Sequence, residues 1–462
     1  MIFSVSALRE LRVLTFFALT ACGAATPAQH SATPHIEADS GRAAAPIAEP
    51  AAPPVEPEAT PPPAAEPAPE PAPEPVEWSV HDPDAPITLP PEVYATVRAA
   101  VRAHPRRNED VFAKIGDSAT ASRLFMRCFA EDDELELAGR DELRPVIERI
   151  RAARVAGRTS FSRESEAAIV GRSVHQLMRG SPSPVTAEIR ALSPRYALVM
   201  FGGNDIEIGR LDLYSTSMLA LVDQLLANGT IPILSTIPAR LDDAESNREV
   251  PRYQAVIRAV ARARRVPLVD LHRAIDDLPN RGLASDGVHP NAPVVDGRAH
   301  ACDFGETGMQ HGMNVRNLLN LRVIAHLQEY LSSDAEAPEV PQPPPATRVD
   351  GDRFVTVATT RGGTTALDGY EGCEATQDES GPERRYALRV DAASHVRAQV
   401  MYDGPVDVDV HLLRDGRCVA RGDSILHADL EPGDYEVVVD TFEGAAHAGE
   451  YMLLVERSAR EE

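Results

Sequence analysis

The sequence predicts an α/β domain built on a parallel sheet, joined to a small all-β sandwich. Three observations carry that prediction. Four short apolar runs, each trailed by a helical pattern, fall between residues 111 and 271. A Pro-rich break, "AEAPEVPQPPPATRV", separates them from the C-terminal residues. Beyond it, apolar and polar residues alternate with the two-residue period of strands.

The chain has 462 residues and a formal net charge of −24. It opens "MIFSVSALRELRVLTFFALTACG", with two arginines, an apolar run from Val13 to Leu19 and small residues leading to Cys22. That run is too short to cross a bilayer, so residues 1–22 read as an export signal. The ending Leu19-Thr20-Ala21-Cys22 resembles the lipobox of bacterial lipoproteins. The resemblance implies cleavage before Cys22, acylation of that residue, and a chain anchored to a membrane without crossing it, at an outer membrane or cell surface. The alternative is an ordinary cleaved signal peptide in which Cys22 has no role.

Residues 23–90 read as a tether. Ala, Pro and Glu dominate there, "PEPAPEPAPEP" is its clearest stretch, and no Lys or Arg occurs between Ala43 and Val97. Such a segment has too little apolar surface to fold, and its prolines and like charges keep it extended. It supplies a good share of the negative charge. A nucleic-acid partner requires a basic face, and the sequence offers none.

Residues 91–334 form the α/β domain. Strands are expected at Val111–Ile115, Tyr196–Phe201, Ile231–Thr236 and Val266–Leu271. Between them Leu143, Val146, Ile147 and Ile150 share one helical face, as do Leu211, Tyr214, Met218, Leu221 and Leu225, which Asn228-Gly229 then stops. Tyr253, Val256, Ile257 and Val260 make a third face, and "NVRNLLNLRVIAHLQEYL" closes the domain. Sites in such sheets form at the carboxyl ends of strands, which directs attention to the loops after residues 115, 201 and 271.

Three stretches there hold chemistry. In "KIGDSAT", Gly116 permits a tight exit from the strand, and Ser118 presents a hydroxyl and its own N–H at a helix start. Read alone, the same residues are a turn and an N-cap. In "VMFGGNDIEIG", Gly202-Gly203 allow a sharp turn that leaves the Asn204 amide free to donate to a developing oxyanion. In "ASDGVHPN", Asp286 and His289 are spaced so that one turn brings the carboxylate to Nδ1, leaving Nε2 as a base.

Taken together, "GDS", "GGND" and "DGVH" resemble the first, third and fifth blocks of the SGNH (GDSL-type) hydrolase family. The resemblance implies a flavodoxin-like three-layer α/β/α fold, with Ser118 as nucleophile, His289 as general base, Asp286 as its partner, and Asn204 and the Ser118 N–H as oxyanion donors. The family's remaining block supplies a glycine N–H. Gly171 in "EAAIVGRSVHQL" is best placed for it, although the Asn that often precedes that glycine is missing, and Gly157 and Gly180 compete. No Gly-x-Ser-x-Gly, His-Glu-x-x-His or paired Cys-x-x-Cys occurs, so no metal ligand and no cofactor is assigned.

Four cysteines remain besides Cys22, two in each domain. Cys373 and Cys418 suit a bridge in the last domain. Cys128 comes ten residues after Ser118 and Cys302 thirteen after His289. If Ser118 and His289 touch, a Cys128–Cys302 bridge would staple the two halves of the site; the alternative is two buried thiols.

After the linker at 335–350, residues 351–460 read as a sandwich with strands in "RYALRVD", "VRAQVMY", "VDVDVHLL", "DYEVVVDTF" and "GEYMLLVER". The run "LEPGDYEVVVDTFEGAAHAGEYMLLV" resembles the pre-peptidase C-terminal (PPC) domain, an accessory module of secreted enzymes. Asp407 and Asp409 alternate on one face, which reads as a solvated strand face rather than a cation site.

The function expected from this reading is hydrolysis of a carboxylic ester through an acyl-enzyme on Ser118. The substrate is an ester-bearing small molecule or an acetylated extracellular or wall glycan. Turnover should fall below about neutral pH, where an imidazole base is protonated. Two alternatives stay open: an O-acetyltransferase using the same acyl-enzyme, and a tethered glycan-binding lipoprotein without turnover.

Overall fold

The computed structural model describes residues 87–333, 345–367, 369–373 and 378–460. The export signal, Cys22 and most of the tether lie outside them. Ile87 to Pro90, which composition assigns to the tether, are part of the folded domain: Ile87 and Leu89 are buried in its core.

In chain order the α/β domain has strands β1 (Ile87–Thr88), β2 (Asn108–Gly116), β3 (Leu135–Glu136), β4 (Pro194–Met200), β5 (Ile231–Ser235), β6 (Leu268–Val269), β7 (Val294–Val295), β8 (Arg298–Ala299) and β9 (Cys302–Asp303). Its helices are α1 (Pro91–Ala103), α2 (Ser118–Ala121), α3 (Arg144–Ala152), α4 (Val174–Met178), α5 (Pro184–Leu192), α6 (Gly203–Ile208), α7 (Leu211–Ala227), α8 (Ala244–Arg264), α9 (Leu271–Ile275) and α10 (Gly312–Ser332). The main sheet runs β1-β6-β5-β4-β2, parallel except for the short edge strand β1.

All seven residues of β4 and all five of β5 are buried. Strands covered on both faces have no reason to alternate, which is why they read as continuous apolar runs. Helices α4 to α8 pack as one layer, while α10 gathers α3, α9 and, through Tyr94–His326 and Arg98–Tyr330, α1 in another.

The site is placed by the edge of this sheet. From β2 the chain travels outward and comes back along the free edge of β2, where Gly116 bridges Ala168: Gly116 N–H donates to Ala167 O and Ile169 N–H to Gly116 O. It then crosses to β4 on the other side. The chain therefore reverses direction across the sheet between β2 and β4, the kind of switch point that opens a crevice above the strand ends.

The second domain is a sandwich of two antiparallel sheets. Its strands are β10 (Arg353–Thr359), β11 (Arg384–Val390), β12 (Ser394–Met401), β13 (Val408–Arg414), β14 (Arg417–Gly422), β15 (Ile425–Leu430), β16 (Gly433–Thr441) and β17 (Glu450–Ala459). They are ordered β10-β17-β12-β15 and β11-β16-β13-β14. Val396, Val410, Val437 and Leu453 fill the space between the sheets. The sandwich is not strung beside the first domain but packed on it. Val355, Met401, Met452 and Leu454 join the α/β core, and Arg252 of α8 bonds Glu456 of β17 at 2.6 Å.

One expectation is overturned here. Asp409 is not on a solvated strand face; it is buried, 4 % exposed. The outward face of β13 is covered by the segment before β11, from which Tyr370 stacks on His411 and Cys373 bridges Cys418. Asp407 stands just outside β13 and is half-buried.

Candidate active site

Ser118 begins α2 immediately beyond β2. The turn is tight because a side chain at 116 has no room: a Cβ there would lie 2.5 Å from Met200 O of the neighbouring strand. Asp117 caps the turn, accepting from Ala119 N–H at 3.2 Å, and its buried carboxyl is pushed above the usual range by desolvation. The cap expected at Ser118 is thus supplied by its neighbour instead. Asp117 is the cap, and the Ser118 hydroxyl is left for other work.

His289 reaches that hydroxyl. Its Nε2 is 2.7 Å from Ser118 Oγ, and its Nδ1 is 2.8 Å from Asp286 Oδ2. The other carboxylate oxygen of Asp286 accepts the backbone N–H groups of Val288 and His289 at 2.9 and 3.0 Å. Burial works to raise the Asp286 pKa, but these donated hydrogen bonds outweigh it and hold the carboxyl below its ordinary value. Gly287 sits at φ +71°, and a Cβ there would meet the backbone N of Asp242 at 2.7 Å, so the loop closes only with glycine.

Asn204 lies on the first turn of α6, above the end of β4. Gly202, at φ +138°, makes the turn, and a Cβ there would press on Ile237 at 2.9 Å. The Asn204 amide, the Ser118 N–H and the Gly171 N–H have no acceptor among the described residues. Gly171 lies in the segment that is held at Gly116 on one side and, through Val174 N–H to Asp205 Oδ1 at 3.1 Å, beside Asn204 on the other. Gly157 turns the chain between the paired Val155 and Arg158, and Gly180 lies close to Pro182.

A cleft of about 440 Å³ opens at Ser118 and His289, walled by Ala119, Leu124, Ala284, Pro290, Ala292 and Met313. Its rim includes Val294 of the β7–β8 hairpin, 68 % exposed. Asp296-Gly297 turn that hairpin with φ of +50° and +77° at the two central residues, as a two-residue I′-like turn requires.

Sequence reasoning missed three supports. Arg316 of α10, 1 % exposed, donates to Ala119 O at 2.7 Å and to Thr120 Oγ1 at 2.9 Å, fixing α2 from below. Arg240 donates to Gly203 O at 2.7 Å and pairs with Asp242 and Glu207, while Leu241 N–H donates to Gly287 O at 2.9 Å. The Asn204 turn and the Asp286–His289 loop are therefore tied to one short segment. Asn317 spans the other flank, binding Leu124 O and Ala301 O beside a Cys128–Cys302 disulfide. The bridge joins the two flanks as the cysteine positions anticipate. The two arginines gave no signal along the chain, because the backbone carbonyls they hold, Ala119 O and Gly203 O, lie far from them in sequence. The hairpin did have one, in its Asp-Gly between valines and Arg-Ala.

Residues 114–293 match the model of the GDSL-like lipase/acylhydrolase family. A multidomain esterase of Ruminococcus flavefaciens is 34 % identical over 114 residues, 22 % of this chain and 14 % of that protein, so the match spans only a small part of the relative's length. Among solved structures, a GDSL-like lipase of Bacteroides thetaiotaomicron aligns over 51 % of this chain and 98 % of its own, at 16 % identity and TM-score 0.32. An acetylxylan esterase of Geobacillus stearothermophilus aligns over 46 % and 93 %, at 18 % identity and TM-score 0.30. The pre-peptidase C-terminal domain of a Bacillus anthracis collagenase aligns over 25 % and 100 %, at 17 % identity and TM-score 0.17.

Proposed function

We propose that this GDSL-like domain makes the protein a serine esterase that removes short acyl groups, O-acetyl on a glycan above all, through an acyl-enzyme on Ser118. The observation that carries the reading is the unbroken relay Ser118 Oγ–His289 Nε2 at 2.7 Å and His289 Nδ1–Asp286 Oδ2 at 2.8 Å. In this scheme Ser118 Oγ attacks the ester carbonyl while Nε2 takes its proton. Asp286 fixes the tautomer and stabilises the imidazolium. The oxyanion is met by the Ser118 N–H, the Asn204 amide and the Gly171 N–H. The imidazolium then protonates the departing alcohol, and water, activated by the same nitrogen, releases the acid.

A cleft of about 440 Å³ with largely apolar walls suits a short acyl group, with the alcohol portion extending past Val294 into solvent. The same reading has Cys22 lipidated and the tether holding the catalytic domain off a membrane. Intact-mass measurement of the N-terminal peptide tests that part by the presence of acyl chains. Ser118→Ala is expected to lower turnover of a small acetyl ester by about 10³-fold or more with an unchanged melting temperature. Undiminished turnover by the pure variant would refute the assignment. Product analysis with an acyl donor and a glycan distinguishes free acid from transferred acyl groups.

A further inference from the structure

The face of β13 that turns away from the sandwich core carries Asp409, His411 and Leu413, and the matching face of β16 carries Val438 and Asp440. The segment preceding β11 lies over this face and contributes Tyr370 and Glu379. The result is an interior polar cluster. Glu379 and His411 are 0 % exposed and Asp409 is 4 %.

These groups are poorly accounted for by protein alone. Neither carboxylate oxygen of Glu379 and neither ring nitrogen of His411 has a hydrogen-bond partner among the described residues. His411 Nε2 faces Glu379 Oε1 at 3.6 Å, too long for a hydrogen bond. Asp440 differs, since its oxygens accept from Thr441 N–H and from the Tyr370 hydroxyl. Burying the Glu379 carboxylate and the His411 imidazole with no hydrogen-bond partner, beside the enclosed Asp409, is costly unless a cation balances them.

We propose that Glu379, Asp409 and His411 bind one divalent transition-metal ion of the zinc class inside the sandwich. One ligand atom from each lies within 4.8 Å of the others, about twice a metal–ligand bond of ~2.1–2.4 Å, so a modest closure brings all three onto one ion. Two carboxylates cancel its charge. The imidazole nitrogen favours zinc over calcium, which prefers oxygen throughout. Tyr370 holds the ring in place, stacked at 3.7 Å between centroids and 8° from parallel. The Cys373–Cys418 bridge fastens the covering segment on which Glu379 arrives. This inference stands independently of the esterase reading, for the ion would be structural and lies in the other domain.

The test is zinc titration of the full chain after treatment with a chelator, read by calorimetry, metal content and melting temperature. One tight equivalent per chain is expected, with a higher melting temperature on loading. Glu379→Gln and His411→Gln should each weaken binding by at least about 100-fold, since even outer partners of a ligand are worth about 10–100-fold. Glu379→Gln is nearly isosteric, and its melting curve without zinc reports whether it folds. His427→Ala, which removes an imidazole from the exposed His395–His427 pair, should leave the equivalent intact. The proposal is overturned if the wild-type chain takes up no zinc, if both Gln variants retain it, if His427→Ala loses it, or if a hundredfold excess of calcium displaces it.

Discussion

At Ser118 the sequence offers either a nucleophile or a helix cap, and in the fold the neighbouring Asp117 takes the cap, which leaves the Ser118 hydroxyl to His289. Asp286 and His289 are readable because their contact is local, three residues apart and closed by one turn. The approach of His289 to Ser118 is not local, and only the sheet supplies it. Buried acids near the site are not legible, since nothing along "GGND" shows that Asp205 is enclosed. Burial pushes its carboxyl up to about 7. An ordinary aspartate titrates near ~3.9, so the folded chain holds this proton more tightly than the unfolded one. Its contribution to stability is complete below the unfolded value and is lost as pH rises through about 7. Asp205→Asn keeps an oxygen for Val174 N–H. Its melting temperature should therefore gain on that of the wild type as pH goes from 5 to 8, and parallel curves would contradict the burial argument.

Among the elements, the strands buried on both faces are the most legible, and their ends differ from expectation by only a few residues. Short or edge elements are not. β1, β3 and β9 have two residues each, too few to show a period. Helix α8 begins at Ala244, well before its readable face, because it runs through Pro251, a residue that ordinarily argues for a boundary. In the sandwich, β10, β14 and β15 escape the sequence reading, and the apparent solvent face of β13 proves to be covered, which alternation alone does not reveal. The three segments of the proposed catalytic site come from different elements, so what holds them together matters. Arg240 joins two of them through Gly203 O and the 240–242 segment. Arg240→Ala should lower kcat/KM by roughly 10–100-fold by loosening that alignment. Lysine at that position should not restore it, because a point charge lacks the planar fork. Full activity in either variant would remove Arg240 from the account.

For the whole molecule, composition locates the tether and the change from α/β to all-β, but not that the two folded domains share a core. Apolar contacts through Val355, Met401, Met452 and Leu454 and the pairs Arg252–Glu456 and Arg264–Glu450 cross between them. Residues 87–460 are accordingly expected to unfold in one calorimetric transition, and two well-separated transitions would show the contact to be weak. The sandwich then acts as part of the scaffold behind α7 and α8. At the other end of the sheet stands the proposed activation of Ser118 by His289. A fluorophosphonate probe combined with peptide mapping tests it most directly. A single adduct on Ser118 is expected in the folded wild-type chain, forming at least about 100-fold more slowly in His289→Ala. An adduct on another residue, or an equal rate without the imidazole, would contradict it.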